Sequence, residues 1–309
     1  MLFRSRRCKN FFVEGKVVDH YVVEKLIGCG GYGCVFSVFD QSNQNKRYAM
    51  KVEYIFAPAK SLLNEIQIMK SISGKSDFFP TFIESGMIDN FRYLVMNLYG
   101  PSVSTVRKQT KNHKFPFPVV LKIGLEMLKA IEALDSLGIV HCDIKPSNFL
   151  FDPKSSSFLK LIDFGLSENY YDSTTKKIRP TRYNNGFKGT MRYASIHSHE
   201  GIILSPRDDL MSWFYSLVEM AEGTLPWYGN ENNSEVLSLK KKIRGWKFFK
   251  NSSFQMFRIY SYIKNLGYSK KPDYQFIYKI LGSLIKKYQN VPQLNDVLPD
   301  KYNSVSVLV

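Results

Sequence analysis

The stretch from Ile139 to Gly165 constrains this chain more than any other. Read from Gly138, it is G-I-V-H-C-D-I-K-P-S-N-F-L-F-D-P-K-S-S-S-F-L-K-L-I-D-F-G. Two apolar runs, 149–151 and 159–162, flank Asp152, Pro153, Lys154 and a run of serines, which predicts a short hairpin. The loop before the hairpin carries Asp143, Lys145 and Asn148, and the turn after it carries Asp163. A hairpin brings these two polar clusters to one end. Such a set suits phosphoryl transfer from a magnesium nucleotide. One carboxylate takes a proton from a hydroxyl, a second carboxylate and an amide oxygen hold hard metal ions, and a lysine steadies the moving group.

Any one of these residues alone would be an ordinary loop cap. Together His141, Asp143, Lys145, Asn148, Asp163, Phe164 and Gly165 form an ordered set that chance explains poorly. The string resembles the protein-kinase catalytic loop H-R-D-x-K-x-x-N followed by D-F-G, with Cys142 where arginine is usual.

Upstream, residues 15–54 alternate apolar and polar positions between turn signals, which predicts antiparallel strands at 21–27, 34–39 and 48–54. Between the first two lies Gly28-Cys29-Gly30-Gly31-Tyr32-Gly33-Cys34-Val35, matching G-x-G-x-x-G-x-V. Glycines there let backbone N–H groups close over phosphates. A dinucleotide-binding fold uses the same glycines, but its turn opens a helix, whereas this one opens a second strand. Lys51, in Tyr48-Ala49-Met50-Lys51, resembles the kinase V-A-I-K strand. Helical spacing of Leu62, Ile66, Met69 and Ile72 follows, with Glu65 beside that stripe.

The resemblance implies a two-lobed α+β fold, a β-rich N-lobe with one key helix and a mainly helical C-lobe. It sets the boundaries at 1–14 for a basic N-terminal extension and 15–288 for the kinase domain, with 289–309 as a short tail. Within the domain, the N-lobe spans about 15–96, the hinge 97–100 and the C-lobe about 101–288. It further implies an ATP site of Ile27, Gly28, Gly30, Gly31, Gly33, Val35, Ala49, Lys51, Met96, Leu98 and Tyr99. Glu65 would pair with Lys51, Asp143 would be the base and Lys145 the phosphoryl stabiliser. Asn148 and Asp163 would bind Mg2+, and Asp209 would prop the catalytic loop.

Downstream, Gly189-Thr190-Met191-Arg192-Tyr193-Ala194-Ser195, Arg207-Asp208-Asp209-Leu210, Leu225-Pro226-Trp227 and Lys271-Pro272-Asp273-Tyr274 resemble the casein kinase 1 family. Arg179-Pro180-Thr181-Arg182, Gly186-Phe187-Lys188-Gly189-Thr190 and Ser216-Leu217-Val218-Glu219 look closest to its tau-tubulin kinase branch. Asn97 stands where that family often has glutamate, and the long tail of those kinases is not found in 309 residues. Cys142 removes a guanidinium that could receive an activation-loop phosphate.

A net charge of +16 predicts anionic partners. No acidic residue lies between Asp172 and Glu200, or between Glu235 and Asp273, while lysines and arginines fill both segments. Serine- and threonine-bearing protein substrates are expected, with acidic or phosphorylated ones favoured by a pocket of Arg192, Lys188 and Lys240. The four cysteines, Cys8, Cys29, Cys34 and Cys142, lack metal-ligand spacing and are too few for a disulfide scaffold. A reduced intracellular protein, cytoplasmic or nuclear, monomeric and without a membrane span, is expected. Two rival readings exist. A pseudokinase scaffold would be free to lose Lys51, Asp143, Asn148 or Asp163, and all four are present. Nucleic-acid binding would draw on Lys240, Lys241, Lys242 and Arg244 near Trp246, Phe248 and Phe249, but a solvated face over buried rings explains them better.

Overall fold

The alternation upstream of residue 54 produces strands because each side chain in turn points to opposite faces of a sheet. The computed structural model describes residues 2–288 except 32, 58–60, 153–154, 173, 176, 181–185, 244–247 and 249–253, so the 289–309 tail lies outside the described residues. Helix α1 (Leu2–Phe11) is followed by β1 (Val17–Val18), β2 (Tyr21–Gly30), β3 (Gly33–Asp40) and β4 (Asn43–Tyr54). Then come α2 (Ser61–Ile72), β5 (Phe82–Ile88) and β6 (Phe91–Asn97). The strands form one antiparallel sheet in the order β1-β2-β3-β4-β6-β5.

Strand β4 shows how the two faces divide. Tyr48, Met50 and Val52 join a cluster that includes Cys8 and Phe12, on the face covered by α1. Ala49, Lys51 and Glu53 are also buried and alternate with them, so they share the opposite face. There Glu53 accepts from the N–H and Oγ of Ser61 at 3.2 and 2.8 Å, satisfying donors at the start of α2. The stretch set apart as a basic extension is thus packed into this lobe: the Phe12 ring lies 5.5 Å from Phe36 and 5.2 Å from Phe91.

The tight turn between β2 and β3 puts Cys29 opposite Cys34 and Gly30 opposite Gly33. A Cβ on Gly33, at φ 131°, would stand 2.1 Å from the Val52 carbonyl oxygen, so no other residue fits there. The expected reduced state of all four cysteines is corrected here. Cys29 and Cys34 form a disulfide across the hairpin, because the register makes them a cross-strand pair; Cys8 and Cys142 are free.

The rest of the chain begins with α3 (Val103–Gln109), α4 (Phe117–Asp135) and β7 (Ile139–Val140). The expected hairpin is present as β8 (Phe149–Phe151) and β9 (Leu159–Leu161), with Phe149 opposite Leu161. Short strands β10 (Glu168–Asn169), β11 (Tyr171–Asp172) and β12 (Lys177–Ile178) lead to α5 (Ile196–His199). Helices α6 (Pro206–Glu222), α7 (Asn233–Lys242), α8 (Phe254–Lys264) and α9 (Tyr274–Lys287) complete it. Asp208 caps the start of α6 by accepting from the Ser205 N–H at 2.9 Å, and Gly223 ends the helix at φ 81°. Trp213 on α6 is fully buried and donates from Nε1 to the Gly124 carbonyl on α4 at 2.8 Å, fixing the central helix pair. This is the two-lobed architecture of a curled sheet and a helical lobe. No described helix is long and apolar enough to cross a membrane.

Candidate active site

A cleft of about 630 Å³ runs between the sheet and the β8–β9 hairpin. Ile27, Val35, Ala49, Met96 and Leu98 give it apolar walls, with Leu150 and Ile162 opposite. Gly28, Gly30, Gly31 and Gly33 form its lid, and Tyr99 and Gly100 lie along the connector between the lobes. Its polar end gathers Lys51, Glu65, Asn148 and Asp163.

Lys51 sits opposite Val35 on one neighbouring strand and Leu94 on the other, in the middle of the sheet. Its Nζ lies 2.5 Å from Glu65 Oε2 and 2.7 Å from Asp163 Oδ1. Burial alone would pull Lys51 down, but the Asp163 and Glu65 carboxylates outweigh it and hold its pKa above the ordinary value. Burial pushes Glu65 up to about 6 despite the lysine. Burial acts in the same upward sense on Asp163, yet Lys51 beside it holds its pKa below the usual value.

Asp163 adopts the left-handed conformation, φ 69°, which a short polar residue tolerates better than most. Asn64 on α2 clamps the turn after it, donating to the carbonyls of Phe164, Gly165 and Ser167 at 3.3, 3.1 and 3.0 Å. Sequence reasoning passed over Asn64, whose only signal is a polar residue next to Glu65 on the helix. Phe164 is buried between Phe79 and His141.

The loop of residues 141–148 is held from beneath. Asp209 on α6 accepts from the backbone N–H of His141 at 2.6 Å and of Cys142 at 2.9 Å. Burial pushes Asp209 up to about 7, while those two donors favour its carboxylate. They also secure Cys142 at φ 67°, a conformation that costs roughly 1–2 kcal/mol in an ordinary residue. His141 is fully buried, and its Nε2 donates to the Ile162 carbonyl at 3.0 Å, leaving Nδ1 to accept from Asp143 N–H. Burial lowers its pKa, in keeping with a neutral ring.

Lys145 Nζ donates to Asp143 Oδ2 at 2.6 Å and to Thr190 Oγ1 at 2.9 Å, and the Thr190 hydroxyl donates to Asp143 Oδ1 at 2.7 Å. Thr190 was quoted in a motif but given no role; a hydroxyl beside a conformationally free glycine was the available signal. Gly189, at φ 95°, lets the chain pass so close that a Cβ there would meet the Cys142 carbonyl oxygen at 2.6 Å. Asn148 Nδ2 donates to the Asp143 carbonyl at 3.0 Å, which uses the amide's donor side and leaves Oδ1 for another partner.

The sequence profile of the protein kinase domain matches residues 21–285. The chain belongs to the protein kinase family. A Dictyostelium discoideum protein provisionally named a serine/threonine-protein kinase is 34% identical over 274 residues, 88% of this chain and 55% of that protein. The chain therefore spans little more than half of that relative. A Caenorhabditis elegans protein provisionally assigned as a casein kinase I is 34% identical over 244 residues, 77% of this chain and 71% of its own length. The serine/threonine-protein kinase spe-6 of the same organism is 29% identical over 289 residues, 90% of this chain and 76% of that protein.

Kinase domains bind ATP and usually a divalent metal, and the donors here suit Mg2+. Asn148 and Asp163 offer hard oxygens, and the described residues hold no group of three His, Cys, Asp or Glu that would form an all-protein cage. Mg2+ takes few protein ligands and completes its shell with phosphate and water.

The expected anion pocket is not assembled as read. Arg192 Nη1 donates to Glu219 at 3.0 Å and its guanidinium lies 4.2 Å over the Tyr228 ring; Lys188 pairs with Glu168. Lys240 is 0% exposed and faces inward, so its place in a surface pocket is corrected. Val236 and Lys240, one turn apart on α7, are both fully buried on the helix's inner face. Lys241 faces outward and pairs with Glu200. The basic and aromatic patch weighed for nucleic acid also loses Phe248, which is buried against Phe214, Tyr215 and Trp227; Arg244, Trp246 and Phe249 lie outside the described residues.

Proposed function

We propose that this chain transfers the γ-phosphoryl group of ATP to serine or threonine hydroxyls of proteins. The observation that carries the reading is the hydrogen-bonded triangle of Asp143, Lys145 and Thr190, beside a cleft where Lys51 is paired with Glu65 and Asp163. In this reading Asp143 accepts the proton of the acceptor hydroxyl, and Lys145 stabilises charge on the transferred group. Lys51, held by Glu65, clamps the α- and β-phosphates. Glycines 28, 30, 31 and 33 bring backbone N–H groups over the phosphates, while Ile27, Val35, Ala49 and Met96 enclose the base beside the backbone of Leu98 and Tyr99. Asn148 and Asp163 would hold a magnesium ion, which would supply positive charge to the phosphates.

A casein kinase 1 type, on its tau-tubulin branch, follows from the motifs around Thr190, Asp209 and Trp227. The 34% identical relative that carries a casein kinase I assignment supports the type. The pseudokinase reading finds no support, because each transfer group has a partner suited to its task.

We further propose a preference for acidic or phosphorylated acceptors, carried by Arg192 with Lys188 nearby. The Glu219 carboxylate is shared between Arg192 and Arg107, 3.0 and 3.4 Å away, so among the described residues two guanidinium charges meet one carboxylate there. A charge-assisted bond to phosphate contributes about 1.5–3 kcal/mol, roughly 10- to 150-fold in discrimination. The test is catalytic efficiency on serine, threonine and tyrosine peptides with phosphoserine, aspartate or alanine upstream. Labelling of serine and threonine peptides, strongest with phosphoserine and flattened in Arg192→Ala, is expected. Labelling of tyrosine peptides alone, or none, overturns the function; equal use of the upstream variants overturns the preference.

A further inference from the structure

Lys240 is a long side chain with no exposure, where burial draws its pKa down to about 6, and the proposed reaction makes no use of it. Three acceptors around Nζ work against that burial and favour the ammonium: it donates to the carbonyls of Met191 and Ala194, each at 2.7 Å, and to His199 Nε2 at 3.0 Å. The ring centroids of Tyr215 and Trp227 stand 5.1 and 4.9 Å away, within reach of a cation–π attraction. His199 suits an acceptor role: burial and the lysine beside it pull its pKa down to about 4, and its Nδ1 bonds Asn233 Oδ1 at 2.5 Å.

These contacts converge on one short loop. Trp227 Nε1 donates to the Arg192 carbonyl at 2.7 Å, between the two carbonyls that Lys240 holds. On the other side, the N–H groups of Tyr193 and Ala194 donate to the Thr190 carbonyl at 2.9 Å. Thr190 in turn bonds Asp143 and Lys145. An acceptor hydroxyl that reaches Asp143 must also come close to Thr190, which bonds that carboxylate, and so to the backbone that leaves Thr190. That backbone has no regular secondary structure of its own, and α7 lies beneath it.

We propose that Lys240 is a positioning residue for the acceptor peptide: its ammonium fixes the 191–194 backbone from beneath and thereby sets where the peptide lies relative to Asp143. The inference rests on the kinase reading and adds to it a residue that touches neither nucleotide nor peptide. It separates binding of the two substrates. The nucleotide cleft is lined by β2, β3, β4, the connector and the hairpin, and Lys240 is not among its residues.

The test is steady-state transfer from ATP to a serine peptide by the full chain, wild type, Lys240→Met and Trp227→Phe, with thermal melts of each. Methionine keeps the unbranched apolar stem and removes all three donors. Loss of one charge-assisted bond corresponds to about a tenfold change, so the peptide KM of Lys240→Met should rise about 10-fold or more, with the ATP KM within about twofold of wild type. Trp227→Phe, which deletes one donor to the same loop, should move the peptide KM in the same direction by less. An unchanged peptide KM in folded Lys240→Met overturns the proposal, as does an equal rise in both KM values. If Lys240→Met does not fold, Trp227→Phe decides by the same split. If wild type itself labels no peptide, the kinase reading fails first and the positioning role falls with it.

Discussion

Lys51 on β4 and Glu65 on α2 meet at 2.5 Å, with the glutamate entirely out of solvent. Burial raises Glu65 from 4.5 to about 6, so its folded pKa lies above its unfolded one. The folded chain then holds that proton more tightly, and ionising Glu65 costs stability as pH rises from about 4.5 to about 6. Activity runs the other way, because only the carboxylate orients Lys51. Catalytic efficiency for ATP should therefore fall on acidification with an apparent pKa near 6, and Glu65→Gln should lack that limb. Melts at pH 5 and 7.5 should show wild type gaining more on Glu65→Gln at the lower pH. A shared acidic limb in both proteins would place the titration elsewhere.

Thr190 bridges Asp143 and Lys145 through one hydroxyl. Removing it takes one donor from Asp143 and one acceptor from Lys145, whose direct bond to each other at 2.6 Å remains, and a hydrogen bond to a charged group contributes about 1.5–3 kcal/mol. Thr190→Val should lower kcat by roughly tenfold or more, and Thr190→Ser should restore most of it. Equal activity of the valine and serine variants would remove Thr190 from the site.

How much of this could be read in advance depends on what decided each feature. The β8–β9 hairpin was legible because a local signal, Asp152, Pro153 and serines between two apolar runs, is enough to turn the chain. The α2 stripe was legible from the spacing of Leu62, Ile66, Met69 and Ile72. Helix α1 was not, because its arginines and lysine dominate the composition while Cys8 and Phe12 find their apolar partners only across the finished sheet. The Cys29–Cys34 bond depends on a strand register that the two residues do not announce. Lys240 misled for a similar reason: three consecutive lysines look like a solvated face, and only the placement of α7 under the 191–194 backbone turns one inward.

Phe12 carries the docking of α1. It is 2% exposed and packs on Phe36 and Phe91. Phe12→Ala should destabilise the protein by about 3–5 kcal/mol, the usual range for emptying such a site. Urea unfolding measures it, and a loss near zero would mean that α1 only rests on the sheet.

Cys142 bears on control of the proposed activity. It is buried, with a thiol pKa raised by burial, in an apolar cluster with Val140 and Leu204. Nothing at that position can bind a phosphate, so protein made in bacteria should keep its activity after phosphatase treatment. A large drop would reveal a phosphosite read by another residue.

The central claim is that Asp143 and Asp163 serve phosphoryl transfer, and the most direct measurement follows labelled γ-phosphate from ATP to a serine peptide with magnesium present. Wild type should label the peptide. Asp143→Asn should lower kcat by about 10²–10⁴-fold, the usual contribution of a general base. Asp163→Asn should abolish labelling while circular dichroism shows a folded chain. Equal trace labelling by wild type and both folded variants would contradict the account.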